Sequence, residues 1–248
     1  MTGVRAKGSA DGATAPDPGG AVAVTTGPAA LGHGAAAARI SAILFDLDGV
    51  LVDSLQVVER AWRRWAQEHQ LTADEVLAVV HGRAAREVIA MCAPHLDVAE
   101  QELRVSGYEV QDGGDLAVVP GARECVALAR RGRWAVVTSG VRRLATARLT
   151  AVGLPVPEIM ITADDVTAGK PDPEPYRRAA AVLRVPEGEC VVVEDAPMGV
   201  LAAKRAGMTV LAVTTTHAAA ALDRADLVFP GMPGVTSWLT ERMAAEPG

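Results

Sequence analysis

The chain is short of aromatic side chains, of cysteine and of basic runs. Phe, Trp and Tyr make up 3% of the 248 residues, too few for the stacking platforms on which single-stranded nucleic acids lie. No cluster of Lys and Arg offsets a formal net charge of −6, so the electrostatic footprint of a nucleic-acid groove is missing too. Cys92, Cys125 and Cys190 are odd in number and far apart; they neither close a disulfide framework nor match zinc-ligand spacing. They point to buried free thiols in a reducing cytoplasm. No segment approaches the ~18 continuous apolar residues of a membrane span. These exclusions leave a small metabolite as the expected partner, and a monomer is expected.

Half of the residues are apolar, enough for one large core or a core with a smaller satellite. The front of the chain does not contribute to it. "GSADGATAPDPGGAVAVTTGPAALGHGAAAA" has no hydrophobic period and cannot bury enough surface to offset chain entropy. Residues 1–38 therefore read as a disordered extension. A secretory signal does not fit, because Gly27, Pro28, Gly32 and Gly34 interrupt its apolar stretches.

From Ile40 onward short apolar runs alternate with longer amphipathic stretches. "AILF", "WAVVT", "EIMIT", "CVVVE", "TVLAV" and "DLVF" read as strands, with room between several of them for crossover helices. That alternation predicts an α/β fold, a Rossmann-like, doubly wound parallel sheet. Between Asp53 and Val119 there is no convincing strand, only helical pattern from Gln56 to about Glu109. An inserted small helical cap domain, 54–117, is predicted there, with the core formed by 39–53 and 118–248.

Ligands of such sheets bind beyond the carboxyl ends of the strands, and acidic and hydroxyl residues recur there. Asp46 ends the first strand, Thr138 the second, and Glu194 and Asp195 a later one, while Lys170 follows "EIMIT" after a loop. These residue types suit phosphoryl transfer to a carboxylate. Asp46 would attack phosphorus and carry the phosphoryl group, splitting one difficult displacement into two. Oxygen ligands from Asp46, Asp195 and Glu194 suit Mg²⁺. Lys170 adds fixed positive charge, and Thr138 with the amides near Ser139 and Gly140 can hold phosphate oxygens. Asp48 could protonate the leaving oxygen and then deprotonate the attacking water. Gly49 lets the chain turn sharply enough to bring both aspartates into one cleft.

"DLDGVLVDS", "VVTSG", "GKPDPEPY" and "VVVEDAPMG", in that order, resemble the four motifs of haloacid dehalogenase-superfamily phosphatases. The resemblance implies Asp46 as nucleophile, Asp48 as acid/base with its backbone carbonyl also touching the metal, and Mg²⁺ as cofactor. Asp48 argues against the family's dehalogenase and phosphonatase branches, which lack an aspartate there. An insertion directly after "LVDS" resembles the small helical cap of the sugar-phosphatase and phosphomutase branch. Within that branch the motifs look most like phosphatases of glycerol phosphate, 2-deoxyglucose 6-phosphate and related sugar or polyol phosphates. A phosphomutase, which must exclude water, and a non-catalytic binding protein on the same fold are the alternatives.

Substrate choice is expected to reside in the cap. "VVHGRAAREVI" places His81 and Arg83 at a helix junction, similar to a cap loop that faces the active site in this branch. Arg83 either binds substrate oxygens through its planar fork or solvates a helix start. Trp62 and Trp65, three apart beside Leu55 and Val58, read as cap core rather than a sugar platform. His69 reads as a helix-end residue without chemistry.

Overall fold

The computed structural model describes residues 39–244; the expected disordered extension lies outside them. Six parallel strands form one sheet: β1 (Ala42–Phe45), β4 (Arg133–Val137), β5 (Met160–Ile161), β6 (Cys190–Glu194), β7 (Thr209–Val213) and β8 (Leu227–Phe229), in the order β5-β4-β1-β6-β7-β8. Every residue of β1 and β6 is buried, as continuous apolar runs covered on both faces require. Ile43 and Phe45 face one core layer, with α5 (Ala122–Ala129), α6 (Arg142–Ala151) and α9 (Met232–Ala244). Ala42 and Leu44 face the other, with α7 (Glu174–Leu183) and α8 (Pro197–Arg205). This is the period-two alternation of a strand.

The chain leaves β1, builds outward through β4 and β5, then returns to the other side of β1 for β6 to β8. β1 therefore stands at the topological switch point, where a crevice opens past the strand ends. Asp46 is the next residue, its amide donating to Val193 O at 3.0 Å.

The insert sits on a two-stranded antiparallel ribbon that the sequence pattern did not disclose, β2 (Val52–Asp53) with β3 (Ala117–Val118). Two residues per strand are too few for periodicity to register. Four helices hang from it: α1 (Leu55–Glu68), α2 (Ala73–Val80), α3 (Ala85–Cys92) and α4 (Val98–Gln111). Trp62 and Trp65 pack edge to face in their core with Val76, Val88, Ile89 and Val105, as expected. Trp65 Nε1 donates to Gln101 Oε1 at 3.1 Å, and His69 Nε2 lies 2.9 Å from the same oxygen. His69 thus serves the cap interior at the end of α1.

Candidate active site

At the carboxyl ends of β1 and β6, Asp46, Glu194 and Asp195 each bring a carboxylate oxygen within 4.8 Å of the others, all three buried. Lys170 lies between two of them. Its ammonium donates to Asp46 Oδ1 and Glu194 Oε1, both at 2.6 Å, and to Val137 O at 3.2 Å. Three carboxylates against one ammonium leave two negative charges uncompensated in a region of low dielectric. Burial raises Asp46, with the Lys170 charge opposing and Glu194 and Asp48 adding, so that its pKa rises from 3.8 to about 7. Asp195 is pushed well up by burial and by the charges of Glu194 and Asp46. For Lys170 burial works downward, but Asp46 and Glu194 outweigh it and hold the ammonium protonated. An all-oxygen pocket with an excess of two negative charges fits a hard divalent cation such as Mg²⁺.

Glu194 is the most occupied of the three. Oε1 accepts from Lys170 and from Tyr176 OH (2.8 Å), and Oε2 from the amides of Asp195 (2.9 Å) and Ala196 (3.1 Å). It holds Lys170 and the Asp195 backbone in place, and would have to give up a partner to ligate a metal directly. Asp46, by contrast, has one protein donor among the described residues, Lys170 on Oδ1. Asp195 is held through Oδ2 by the Thr216 hydroxyl, which also lies 3.3 Å from Asp195 O. Two glycines make room for these carboxylates. A Cβ on Gly199, in α8, would fall 1.6 Å from Glu194 Oε1; one on Gly49, whose φ is +80°, would fall 2.0 Å from Asp195 Oδ2.

Asp48 lies on the cap side of Asp46. Ser54 precedes α1 but does not cap it; its hydroxyl donates to Asp48 Oδ1 at 2.6 Å. Arg148 Nη1 donates to Asp48 Oδ2, also at 2.6 Å. At the end of β4, Thr138 Oγ1 accepts the Gly140 amide at 3.0 Å, so that amide is already engaged. Ser139 Oγ reaches across to the cap, donating to Gly82 O at 3.1 Å. His81 and Arg83 flank Gly82 on the loop between α2 and α3, and both line the same cleft as Asp46, Asp48 and Thr138. Burial, and then the facing His217 ring 6.1 Å away, lower the His81 pKa. The Arg83 guanidinium has no hydrogen bond or ion pair among the described residues. Arg86 instead ties the cap to the core, donating to Val166 O at 3.1 Å.

Of the core residues expected from the strand ends, Asp46, Asp48, Thr138, Ser139, Gly140 and Asp195 therefore line one cleft with both cap residues, while Glu194 and Lys170 lie buried behind it. Arg148, Glu109, Thr216 and Tyr176 were missed. Thr216 follows β7 in "TTTH" and was open to the same strand-end argument. Arg148 interrupts an apolar stripe of α6, Leu144, Ala145 and Leu149, and a charge there signals a buried partner.

A parallel sheet with a carboxylate at its switch point, a buried lysine beside it and a helical cap over the crevice is the build of a phosphoryl-group hydrolase. Comparison with known proteins agrees: residues 40–207 match the family described as haloacid dehalogenase-like hydrolases. Hexitol phosphatase A of Escherichia coli (strain K12) is 41% identical over 204 residues, which are 80% of this chain and 94% of that protein. Validoxylamine A 7'-phosphate phosphatase of Streptomyces hygroscopicus subsp. limoneus is 41% identical over 201 residues, 77% of this chain and 94% of that one. The crystal structure of a hydrolase from Pseudomonas syringae superposes with a TM-score of 0.73 at 26% identity, covering 81% of this chain and 98% of that one. The chain belongs to the haloacid dehalogenase-like hydrolases, and within them it is a phosphatase.

Proposed function

We propose that the enzyme is a Mg²⁺-dependent phosphatase that hydrolyses a small sugar or polyol phosphate monoester through an aspartyl phosphate on Asp46. The observation that carries this reading is the buried cluster of Asp46, Glu194 and Asp195, in which Lys170 pairs with the first two and leaves two negative charges in excess. The relatives' names support the substrate class, since a hexitol and validoxylamine A are both small polyhydroxylated molecules.

Asp46 and Asp195, with the Asp48 carbonyl and with Glu194 behind them, would hold Mg²⁺. Bound there, the ion would supply the charge that lets one anion approach another and would keep Asp46 ionised. The remaining work falls to the protein. Asp46 attacks phosphorus; as its O–P bond forms, the bond to the leaving oxygen breaks, and Asp48 gives that oxygen a proton. Lys170 offsets charge on the transferring group, and the Thr138 hydroxyl and the Ser139 backbone orient its oxygens, with the Gly140 amide fixing the Thr138 hydroxyl. Asp48 then takes a proton from water as the water oxygen bonds to phosphorus and the aspartyl–phosphate bond breaks. His81 and Arg83 meet the leaving group from the cap.

Three free thiols support a cytoplasmic enzyme, although Cys92 is only half-buried. No helix among the described residues is long and apolar enough to cross a membrane. The exposed large apolar side chains, Met91, Leu103, Val110, Val156 and Val182, are spread over several elements, which supports a monomer.

The test is phosphate release from a panel of hexitol, glycerol and hexose phosphates, with Mg²⁺ and with excess chelator. Release of inorganic phosphate that stops in chelator and returns with Mg²⁺ is expected. Undiminished hydrolysis in chelator would remove the metal from the mechanism. An isomeric sugar phosphate formed without free phosphate would assign the cleft to a mutase.

A further inference from the structure

Arg148 is the least expected side chain of the cleft. It sits on α6, on the flank of the sheet away from Lys170, and its side chain is only 5% exposed. A buried guanidinium is costly in lost hydration unless its donors are matched, and here they are matched by two carboxylates from different parts of the fold. Nη1 donates to Asp48 Oδ2 at 2.6 Å, and Nη2 pairs with Glu109 Oε2 of the cap helix α4. Glu109 is as buried as Arg148, at 6% side-chain exposure, whereas Asp48 keeps 30% and faces the cleft. Among the described residues Asp48 has two side-chain partners, Ser54 on one oxygen and Arg148 on the other.

We propose that Arg148 is the positioning residue of the acid/base: its fork fixes the plane and direction of the Asp48 carboxylate, and Glu109 fixes the fork. The inference rests on the reading of Asp48 as acid/base given above. Ser54 alone leaves Asp48 free to turn about its χ angles, because a single hydrogen bond does not define a carboxylate plane. A second bond from a planar, rigid donor does. The donor is in turn rigid because its other nitrogen is tied to a different element. Glu109 belongs to the cap and Arg148 to the core, so Asp48 is held correctly only when α4 is docked on α6. Arg148 touches neither phosphorus nor nucleophile in this scheme; it acts through Asp48.

Such a role leaves a signature that simple destabilisation does not. An alkyl phosphate needs a proton on its leaving oxygen, whereas p-nitrophenolate departs without one; the aspartyl phosphate formed from either substrate needs a base for its hydrolysis. Arg148→Met keeps the bulk of the side chain and removes the fork. On a hexitol phosphate its kcat should fall by roughly 10²-fold with KM changed by less than about threefold. With p-nitrophenyl phosphate the first turnover should slow by no more than about threefold and appear as a burst of about one p-nitrophenol per enzyme, followed by a slow steady state. Arg148→Lys, with charge but no fork, should recover only part of the loss.

Met leaves Glu109 buried without its partner, so Arg148→Met/Glu109→Met, which removes both buried charges, is measured beside it and should show the same burst. Asp48→Asn sets the reference. If Asp48→Asn loses both substrates and the burst equally, the acid/base reading falls and this inference with it. If Asp48→Asn gives the burst but the Arg148 variants lose it, raise KM on both substrates or keep wild-type turnover of the hexitol phosphate, the inference alone is overturned.

Discussion

The core wall and the cap wall of the cleft are finished to different degrees. On the core side the polar groups are bound to one another: Lys170 bridges Asp46 and Glu194, all four acceptor positions of Glu194 are taken, and Thr216 holds Asp195. On the cap side the Arg83 guanidinium and the hydroxyl of the buried Ser106 line the cleft with no hydrogen-bond partner among the described residues. A wall whose side chains hold one another in place before substrate arrives is preorganised for the one group common to all substrates, the phosphoryl group. A wall with donors to spare suits the part that differs. Lowered affinity for one leaving group should therefore come from the cap, and lost chemistry on every substrate from the core.

The hardest way to break that contrast is at Asp46. Asp46→Asn keeps the shape of the side chain and removes the attacking charge, so turnover should fall at least about 10³-fold on every substrate alike. The fold should survive. One carboxylate fewer around Lys170 relieves the excess negative charge, so the thermal midpoint in chelator should stay level or rise. Residual turnover above about a tenth of wild type in a folded variant would rule out Asp46 as nucleophile.

The same contrast explains what could be read from the sequence. The core wall lies at strand ends, and "AILF", "CVVVE" and "TVLAV" coincide with β1, β6 and β7 residue for residue. Once the strands are placed, Asp46, Thr138, Glu194 and Asp195 follow, because a parallel sheet brings consecutive strand ends to one edge whatever their separation in sequence. Helical walls carry no such rule. Glu109 and Arg148 are 39 positions apart and meet only because α4 docks on α6, a tertiary fact that no period in either helix encodes. The ribbon of β2 and β3 was hidden for another reason: each strand is two residues long, below the reach of any alternation. The glycine of "EDAPMG" had a local cause that only the folded helix displays, the Glu194 carboxylate lying where a Cβ would be.

Arg83 sharpens the comparison from the cap side. Its guanidinium lines the cleft without a protein partner, so Arg83→Ala strands no buried charge and should fold normally. Losing a contact to a substrate oxygen while phosphate handling is intact predicts a fall in kcat/KM of roughly one to two orders of magnitude on the preferred sugar or polyol phosphate. Hydrolysis of p-nitrophenyl phosphate, which lacks such hydroxyls, should change far less. Equal losses on both would move Arg83 into phosphate binding, and none on either would return it to the solvated surface.

The smallest expected effect lies where the two walls touch. His81 of the cap faces His217 of the core edge to face, and burial followed by that neighbour lowers its pKa below the ordinary 6.5, against weaker upward pulls from Glu59 and Asp48. The unfolded chain, in which His81 titrates normally, therefore binds its proton first as the pH falls. Stability contributed by the neutral ring is fully present above 6.5 and is lost as the pH drops through that value toward the lower one in the folded protein. His81→Gln carries no proton to take up. Between pH 7.5 and 5.5 the wild-type thermal midpoint should thus drop further than that of the variant, by on the order of 1–3 °C. Taking the difference between the two proteins cancels the carboxylates, which titrate in both. Parallel curves would mean that folding does not hold the His81 ring neutral at this junction, which is then held by Arg86 on Val166 and Ser139 on Gly82.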